Sequence, residues 1–128
     1  MTPSPERIKQ STTRIFKAIF PESTNHYDTM FGGTAMQLMD EVAFITATRY
    51  SRQKMVTVSS ERIDFKQPIP AGTIIELIGR VCYVGKTSLK VSVEVFVEEM
   101  YVEERHKAIS GMFSFVAIDD NKKPMKIC

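Results

Sequence analysis

The apolar positions of this chain change period once, and that change sets out the fold. From Gly33 to about Tyr50 they fall at Ala35, Leu38, Met39, Val42, Ala43, Thr46, Ala47 and Tyr50, the three-and-four spacing of a buried helical face. Phe44 and Ile45 carry the apolar surface most of the way round, so this helix should be wrapped by other structure. Before it, Thr12 to Phe20 alternates Thr13, Ile15 and Lys17 against Arg14, Phe16, Ala18 and Phe20, which predicts a strand ended by Pro21. After it the period is two. Met55 to Phe65 reads as a strand whose parity shifts from Val56 and Val58 to Ile63 and Phe65, which places a bulge near Ser59-Ser60.

Gln67-Pro68-Ile69-Pro70-Ala71-Gly72 is a turn. Strands follow over Thr73 to Val84 and, past Gly85, over Thr87 to Glu98. In the second of these Leu89, Val91, Val93, Val95 and Val97 face one way. Val102 to Arg105 reverses the chain, Lys107 to Ile118 is a final strand, and residues 119–124 lead out. Short connections favour antiparallel pairing. The expected fold is α+β: about five antiparallel strands wrapped around one central apolar helix. A sheet with one helix to cover it leaves an edge or a face for a partner subunit. Residues 1–10 read as a mobile tail with Pro3 and Pro5, residues 11–124 as one domain, and residues 125–128 as a C-terminal tail.

Composition narrows the function classes. The 128 residues suffice for one core, and a net charge of +2 makes no case for a nucleic-acid partner. No apolar run approaches the roughly 20 residues of a membrane span, and Met1 to Gln10 has no apolar signal-peptide region, so a cytoplasmic location is expected. Cys82 reads as a core filler and Cys128 as part of a loose tail, with no disulfide framework. His26 and His106 lack neighbours at ligand spacing, so no metal is expected.

Chemistry concentrates where the polar loop Asn25-His26-Tyr27-Asp28-Thr29-Met30-Phe31-Gly32-Gly33 runs into the helix. Helix-start N–H groups bind anions and developing oxyanions, although Gly32-Gly33 could equally serve only to ease the helix start. Two adjacent acids lie further in. On a wheel of 100° per residue, Glu41 falls with Gln37 and Thr48 on the polar side, which suits a solvated rim acid. Asp40 falls with Met36, Ala43, Phe44 and Ala47, where a carboxylate is costly unless it is paired. It is either a structural acid capping backbone groups or a base that holds and activates water. Asn25 suits a turn. His26 invites a histidine mechanism, but no Ser or Cys stands in a nucleophile context. Gly85-Lys86-Thr87-Ser88 is either an exposed turn or a contact for a phosphate or pantetheine arm, to which Arg62 and Lys66 could add charge.

Taken together, these residues resemble the hotdog-fold acyl-CoA thioesterases, in the acyl-CoA hydrolase branch. The resemblance rests on Thr24-Asn25-His26-Tyr27, Phe31-Gly32-Gly33, Leu38-Met39-Asp40-Glu41-Val42-Ala43, Val56-Thr57-Val58 with Arg62-Ile63-Asp64-Phe65-Lys66-Gln67-Pro68, and Tyr83-Val84-Gly85-Lys86-Thr87-Ser88-Leu89. It spans about Phe16 to Pro124. It implies a hotdog homodimer as the active unit, with sites at the subunit interface, assembled into a trimer of dimers. It implies that Asp40 activates water, that Asn25 of the partner subunit helps hold water or thioester, and that Gly33 and neighbouring amides, with the loop of Gly32 and His26, polarise the carbonyl. Lys86, Thr87 and Ser88 would contact coenzyme A, with Arg62 and Lys66. Asp28 departs from the pattern, since many relatives carry glycine there.

The reading is hydrolysis of acyl-CoA to free acid and coenzyme A, with no metal or redox cofactor. Coenzyme A enters only as part of the substrate and leaves as a product. A non-catalytic acyl-CoA sensor is the alternative, although such regulators carry an effector domain for which the short polar N-terminal stretch leaves no room. A hydratase or dehydratase is a third reading, and it would call for a histidine that the helix lacks.

Overall fold

A computed structural model describes residues 4–128. Helix α1 spans Pro5–Ser11 and strand β1 Thr13–Ala18; a 3-10 turn at Pro21–Ser23 leads through a loop into α2, Gly32–Ser51. Strands β2 (Lys54–Phe65), β3 (Thr73–Val84), β4 (Ser88–Glu99) and β5 (Arg105–Ile118) follow. All five strands form one antiparallel sheet in the order β1-β3-β4-β5-β2. The expected α+β architecture is therefore present, with a second helix in addition to the central one.

The alternation in β4 does what its pattern predicts. Leu89, Val91, Val93, Val95 and Val97 are buried under α2, while Lys90, Ser92, Glu94 and Glu98 point to the outer face. Strands β3 and β5 add Ile75, Leu77, Val81, Ile109, Phe113 and Phe115 to the same floor. Onto it α2 lays Ala35, Met39, Val42, Ala43, Ala47 and Tyr50. Fully burying each large apolar side chain contributes about 1.5–3 kcal/mol. The small residues Ala43 and Ala47 keep α2 low over the sheet, and Gly79 completes the fit. A Cβ there would meet Thr46 Oγ1 at 2.4 Å and Val42 Cγ1 at 2.9 Å.

Strand β2 carries two irregularities, between Thr57 and Ser59 and between Glu61 and Asp64. The first is the expected bulge near Ser59-Ser60. The second holds Arg62 at φ 55. As the outermost strand beside β5, β2 leaves Val56 and Val58 exposed.

Three expectations need correction. Residues 5–10 are not a tail but most of α1, with Ser4 as N-cap, Pro5 in the first turn and Glu6 beside it. These start signals were legible; the helix carries so little apolar surface that periodicity could not show it. The expectation for residues 1–3 lies outside the described residues. The helix docks through Ile8 and through Arg7, whose guanidinium donates to Tyr50 O and Cys128 O and lies 4.2 Å from the centre of the Tyr50 ring. Residues 125–128 are also docked: Met125 N–H donates to Ala117 O, Ile127 N–H donates to Lys86 O, and Ile127 is buried. Cys82 is not a core filler, because it sits on the outer face of β3, exposed, near Met112 Sδ.

The close seating of α2 yields a stability test. Gly79→Ala should cost about 1–3 kcal/mol, because the new methyl meets two β-branched side chains fixed on the helix. Gly111→Ala should cost less, since the atoms it meets are the mobile ends of Ile63 and Met39. Urea denaturation of both variants checks that order.

Candidate active site

The N-terminus of α2 is open. Its N-cap residue, Phe31, gives no side-chain cap, and the first turn holds no acid. Gly32 and Gly33 are exposed, and a Cβ on Gly33 would meet nothing within 4 Å. Crowding within the subunit therefore does not require glycine here, and the first amides face free space. The positive end of the helix dipole points into that space. A cavity of about 220 Å³ lies alongside, bounded by Gly32, Ala35, Phe65, Lys66 and Ile69.

Two turns further on, Asp40 sits half-buried on the flank of α2, and Glu41 is exposed. The wheel separated the two acids correctly. Asp40 Oδ1 accepts a hydrogen bond of 3.0 Å from Thr57 Oγ1. Among the described residues the other carboxylate oxygen has no hydrogen-bond partner, and the Thr57 bond sets the direction in which the group points. Thr57 lies in the Val56-Thr57-Val58 run at the start of β2. Its signal is parity: Thr57 shares the inward face of β2 with buried Met55, which brings the hydroxyl over the helix flank where Asp40 lies.

Asn25 organises its loop. Its Oδ1 accepts from Tyr27 N–H at 2.9 Å, Thr29 N–H at 3.3 Å and Thr29 Oγ1 at 3.2 Å. Its amide Nδ2 makes no hydrogen bond among the described residues, so the donor end is free while the acceptor end builds the turn. Asp28 takes φ 59 in that turn, a left-handed conformation that glycine favours and aspartate tolerates. Its N–H donates to Asn25 O, and its carbonyl accepts from Ala71 N–H. His26 is exposed, with its ring 3.9 Å from that of Tyr27.

The cationic candidates occupy separate places in one subunit. Lys66 lines the cavity at the helix start. Arg62 lies at the second irregularity of β2, bordering a shallow cleft on the outer sheet face with Ser92, Glu94 and Met112. Near it Lys90 bonds Glu61 at 3.0 Å and holds that carboxyl below its ordinary value. Lys86, Thr87 and Ser88 form the β3–β4 turn, closed by Gly85 N–H donating to Ser88 O at 2.7 Å, with the Lys86 side chain exposed. Pairing of Ser88 with Val116, and of Val116 with Val56, puts this turn two strands from the start of β2. Among the described residues no three His, Cys, Asp or Glu side chains gather as a metal site, and no helix is long and apolar enough to cross a membrane.

Comparison with known proteins supplies independent bearings. The family model of the thioesterase superfamily matches residues 27–104, which hold α2, β2, β3 and β4. The chain is 36% identical over 126 residues to an uncharacterised acyl-CoA thioester hydrolase of Bacillus subtilis, covering 98% of this chain and 73% of the relative. It superposes with TM-score 0.89 and 35% identity on an acyl-CoA hydrolase from Staphylococcus aureus solved with butyryl coenzyme A, coenzyme A and coenzyme A disulfide, covering 94% of this chain and 73% of that one. That enzyme was also solved with alanine replacing an aspartate, a threonine and an asparagine in turn. A hexameric acyl-CoA thioesterase matches with TM-score 0.91 and 32% identity, over 94% of this chain and 77% of that one.

The double use of Asn25 can be separated. Asn25→Ala removes the Oδ1 acceptor and should speed amide exchange at Tyr27 and Thr29 several-fold, since each net hydrogen bond contributes about 0.5–1.5 kcal/mol. Asn25→Asp keeps the acceptor, so exchange at both amides should stay near the parent rate by hydrogen-exchange NMR.

Proposed function

The chain belongs to the thioesterase superfamily, and from that premise we propose that it hydrolyses acyl-CoA thioesters to the free carboxylic acid and coenzyme A, with Asp40 activating the attacking water. The observation that carries this reading is the Asp40–Thr57 pair. A carboxylate on the flank of an apolar helix, aimed by a hydroxyl at 3.0 Å, is a base held in one orientation. The aspartate, threonine and asparagine replaced in the Staphylococcus aureus enzyme are spaced along that chain as Asp40, Thr57 and Asn25 are here, which supports assigning these three to one site.

In the proposed reaction Asp40 takes a proton from water as the water oxygen bonds to the thioester carbon. The carbonyl oxygen becomes an oxyanion, met by the free amides around Gly32 and Gly33. Collapse of the tetrahedral intermediate breaks the carbon–sulfur bond, and the proton held by Asp40 passes to the departing sulfur, so that coenzyme A leaves as the thiol and Asp40 returns to its carboxylate. Gly33 lies roughly 10 Å up the helix axis from Asp40 at 1.5 Å per residue. That is about the span of carboxylate, water, carbonyl and amide donor placed end to end. The free Nδ2 of Asn25, supplied by the partner subunit, would hold the water or thioester. Lys86, Thr87, Ser88, Arg62 and Lys66 would receive coenzyme A; their separation within one subunit favours a site assembled from two. No metal or redox group enters these steps.

The active unit is then a homodimer, with the exposed edge of β2 and the uncovered flank of α2 as the natural contact, assembled further into a trimer of dimers. The hexameric relative supports that size. The two free cysteines suit a reducing compartment, and we place the protein in the cytoplasm.

Asp40→Asn keeps size and hydrogen bonding but removes the proton acceptor. It should lower kcat by about 10²–10⁴-fold with little change in KM. Glu41→Gln, on the exposed side, should cost less than about tenfold. Thiol release from acyl-CoA, after circular dichroism has confirmed folding, decides this. Near-normal turnover in Asp40→Asn with loss in Glu41→Gln would transfer the role to Glu41, and tight binding by the parent chain without thiol release would favour a sensor. Lys86→Ala should raise KM more than it lowers kcat, because a contact remote from the reacting carbon contributes alike to ground and transition states. An unchanged KM would remove Lys86 from the site.

A further inference from the structure

We propose that residues 124–128 act as a strap that holds the β3–β4 turn in place for coenzyme A, and that Gln53, which clamps the strap, is a positioning residue for that recognition. The proposal rests on the assignment of Lys86, Thr87 and Ser88 to coenzyme A above. Exposed loop tips are mobile unless their backbone is tied down. Here two successive carbonyls of the turn are tied. Ile127 N–H donates to Lys86 O at 2.9 Å, and Ala117 N–H donates to Thr87 O at 2.9 Å. Ala117 belongs to β5, so it is the Lys86 carbonyl that depends on the strap.

The strap reaches Lys86 through a series of bonds. After β5 the chain turns on Asp119, whose Oδ1 accepts from Asn121 N–H at 2.8 Å and Lys123 N–H at 3.0 Å. Pro124 pairs back with Ile118, and Met125 N–H donates to Ala117 O at 2.8 Å. Ile127 then buries its side chain in the core. Successive residues of extended backbone direct their polar groups to opposite edges. Ile127 N–H therefore faces Lys86, while Lys126 O and Cys128 N–H face the other way. One primary amide meets both of these. Gln53 Nε2 donates to Lys126 O at 3.0 Å, and Gln53 Oε1 accepts from Cys128 N–H at 3.2 Å. That is the pair of bonds a neighbouring strand would supply. Gln53 is itself anchored just past α2, where its N–H donates to Ser51 Oγ at 3.2 Å. Arg7 Nη1 adds a bond of 2.9 Å to Cys128 O.

A turn ordered before its ligand arrives loses less freedom on binding. Releasing the Gln53 clamp moves that ordering cost into the recognition of coenzyme A. The turn is remote from the reacting carbon, so the loss weighs alike on ground and transition states and falls on KM rather than kcat.

Gln53→Ala removes both clamp bonds and tests this. Amide exchange at Ile127 should speed by about two- to tenfold, the range of one net hydrogen bond. KM for acyl-CoA should rise by about two- to tenfold with kcat unchanged. The matching acyl ester of N-acetylcysteamine has the thioester without the nucleotide, and its kcat/KM should stay at the parent value. Loss of folded protein would instead lower turnover of both esters alike. Ile127→Ala, which thins the anchor of the strap in the core, should give the same split between the two esters. Unchanged exchange at Ile127, an unchanged KM for acyl-CoA, or equal losses on both esters in Gln53→Ala overturns the proposal. Lys86→Ala separates its failure from that of its premise. If Lys86→Ala raises KM and Gln53→Ala does not, the strap alone falls; if Lys86→Ala leaves KM unchanged, the turn does not hold coenzyme A and both readings fall. If no ester releases thiol, the proposed function falls, and calorimetric binding of coenzyme A itself still reads the strap: weaker binding by Gln53→Ala supports it, and equal binding overturns it.

Discussion

Helix α2 has apolar residues on its underside and on both flanks, and a single sheet to bury them against. Strands β3, β4 and β5 take the underside, and Gly79 lets the helix sit low enough that Val42 and Thr46 touch the sheet backbone region directly. Cover gives out towards β2, where Phe44, Val56 and Val58 remain exposed. The boundary between covered and uncovered helix is where Asp40 lies. There the Asp40 carboxylate is half-buried and takes its direction from the hydrogen bond of Thr57.

That geometry also explains why the polar loop before the helix needs such careful construction. The loop delivers the chain to a helix start without a side-chain cap, and its backbone groups pair both within the loop and with the turn at Ile69 to Ala71. Asn25 does this with one oxygen, Asp28 with a left-handed turn, and bridges from Thr24 to Met30 and from Thr29 to Pro70 tie the ends. Among the described residues no side chain caps the exposed first turn of α2. In the proposed dimer that turn and the exposed flank are completed by a second copy, so one strip of incompletely covered helix accounts for both the reaction site and the assembly.

Much of this was readable from residue order. The alternation in β4 and the helical spacing from Ala35 to Tyr50 gave those elements almost to the residue, because each buries one continuous face. The bulge in β2 showed itself as a parity change, and the two acids separated on the wheel because a helix flank is a periodic object. Helix α1 escaped because it is held by capping and by the hydrogen bonds of Arg7 rather than by an apolar stripe. The pinned C-terminus escaped for a similar reason: its hold is backbone pairing with Lys86 and Ala117, to which hydropathy is blind. Cys82 was misplaced because a cysteine in a strand is apolar by type, and only the register reveals which face it takes. Thr57 lay in plain view, yet its role depends on a contact between elements 17 residues apart.

The central claim is that Asp40 of one subunit works with Asn25 of another, and co-assembly of two disabled chains tests it most directly. Asp40→Asn and Asn25→Ala subunits, differently tagged and co-expressed, should each be impaired alone. Purified mixed dimers carry one site with both residues intact, so they should recover up to about half the parent activity per dimer. Mixed dimers no more active than the two homodimers would show that Asp40 and Asn25 serve the same subunit, and would contradict the account.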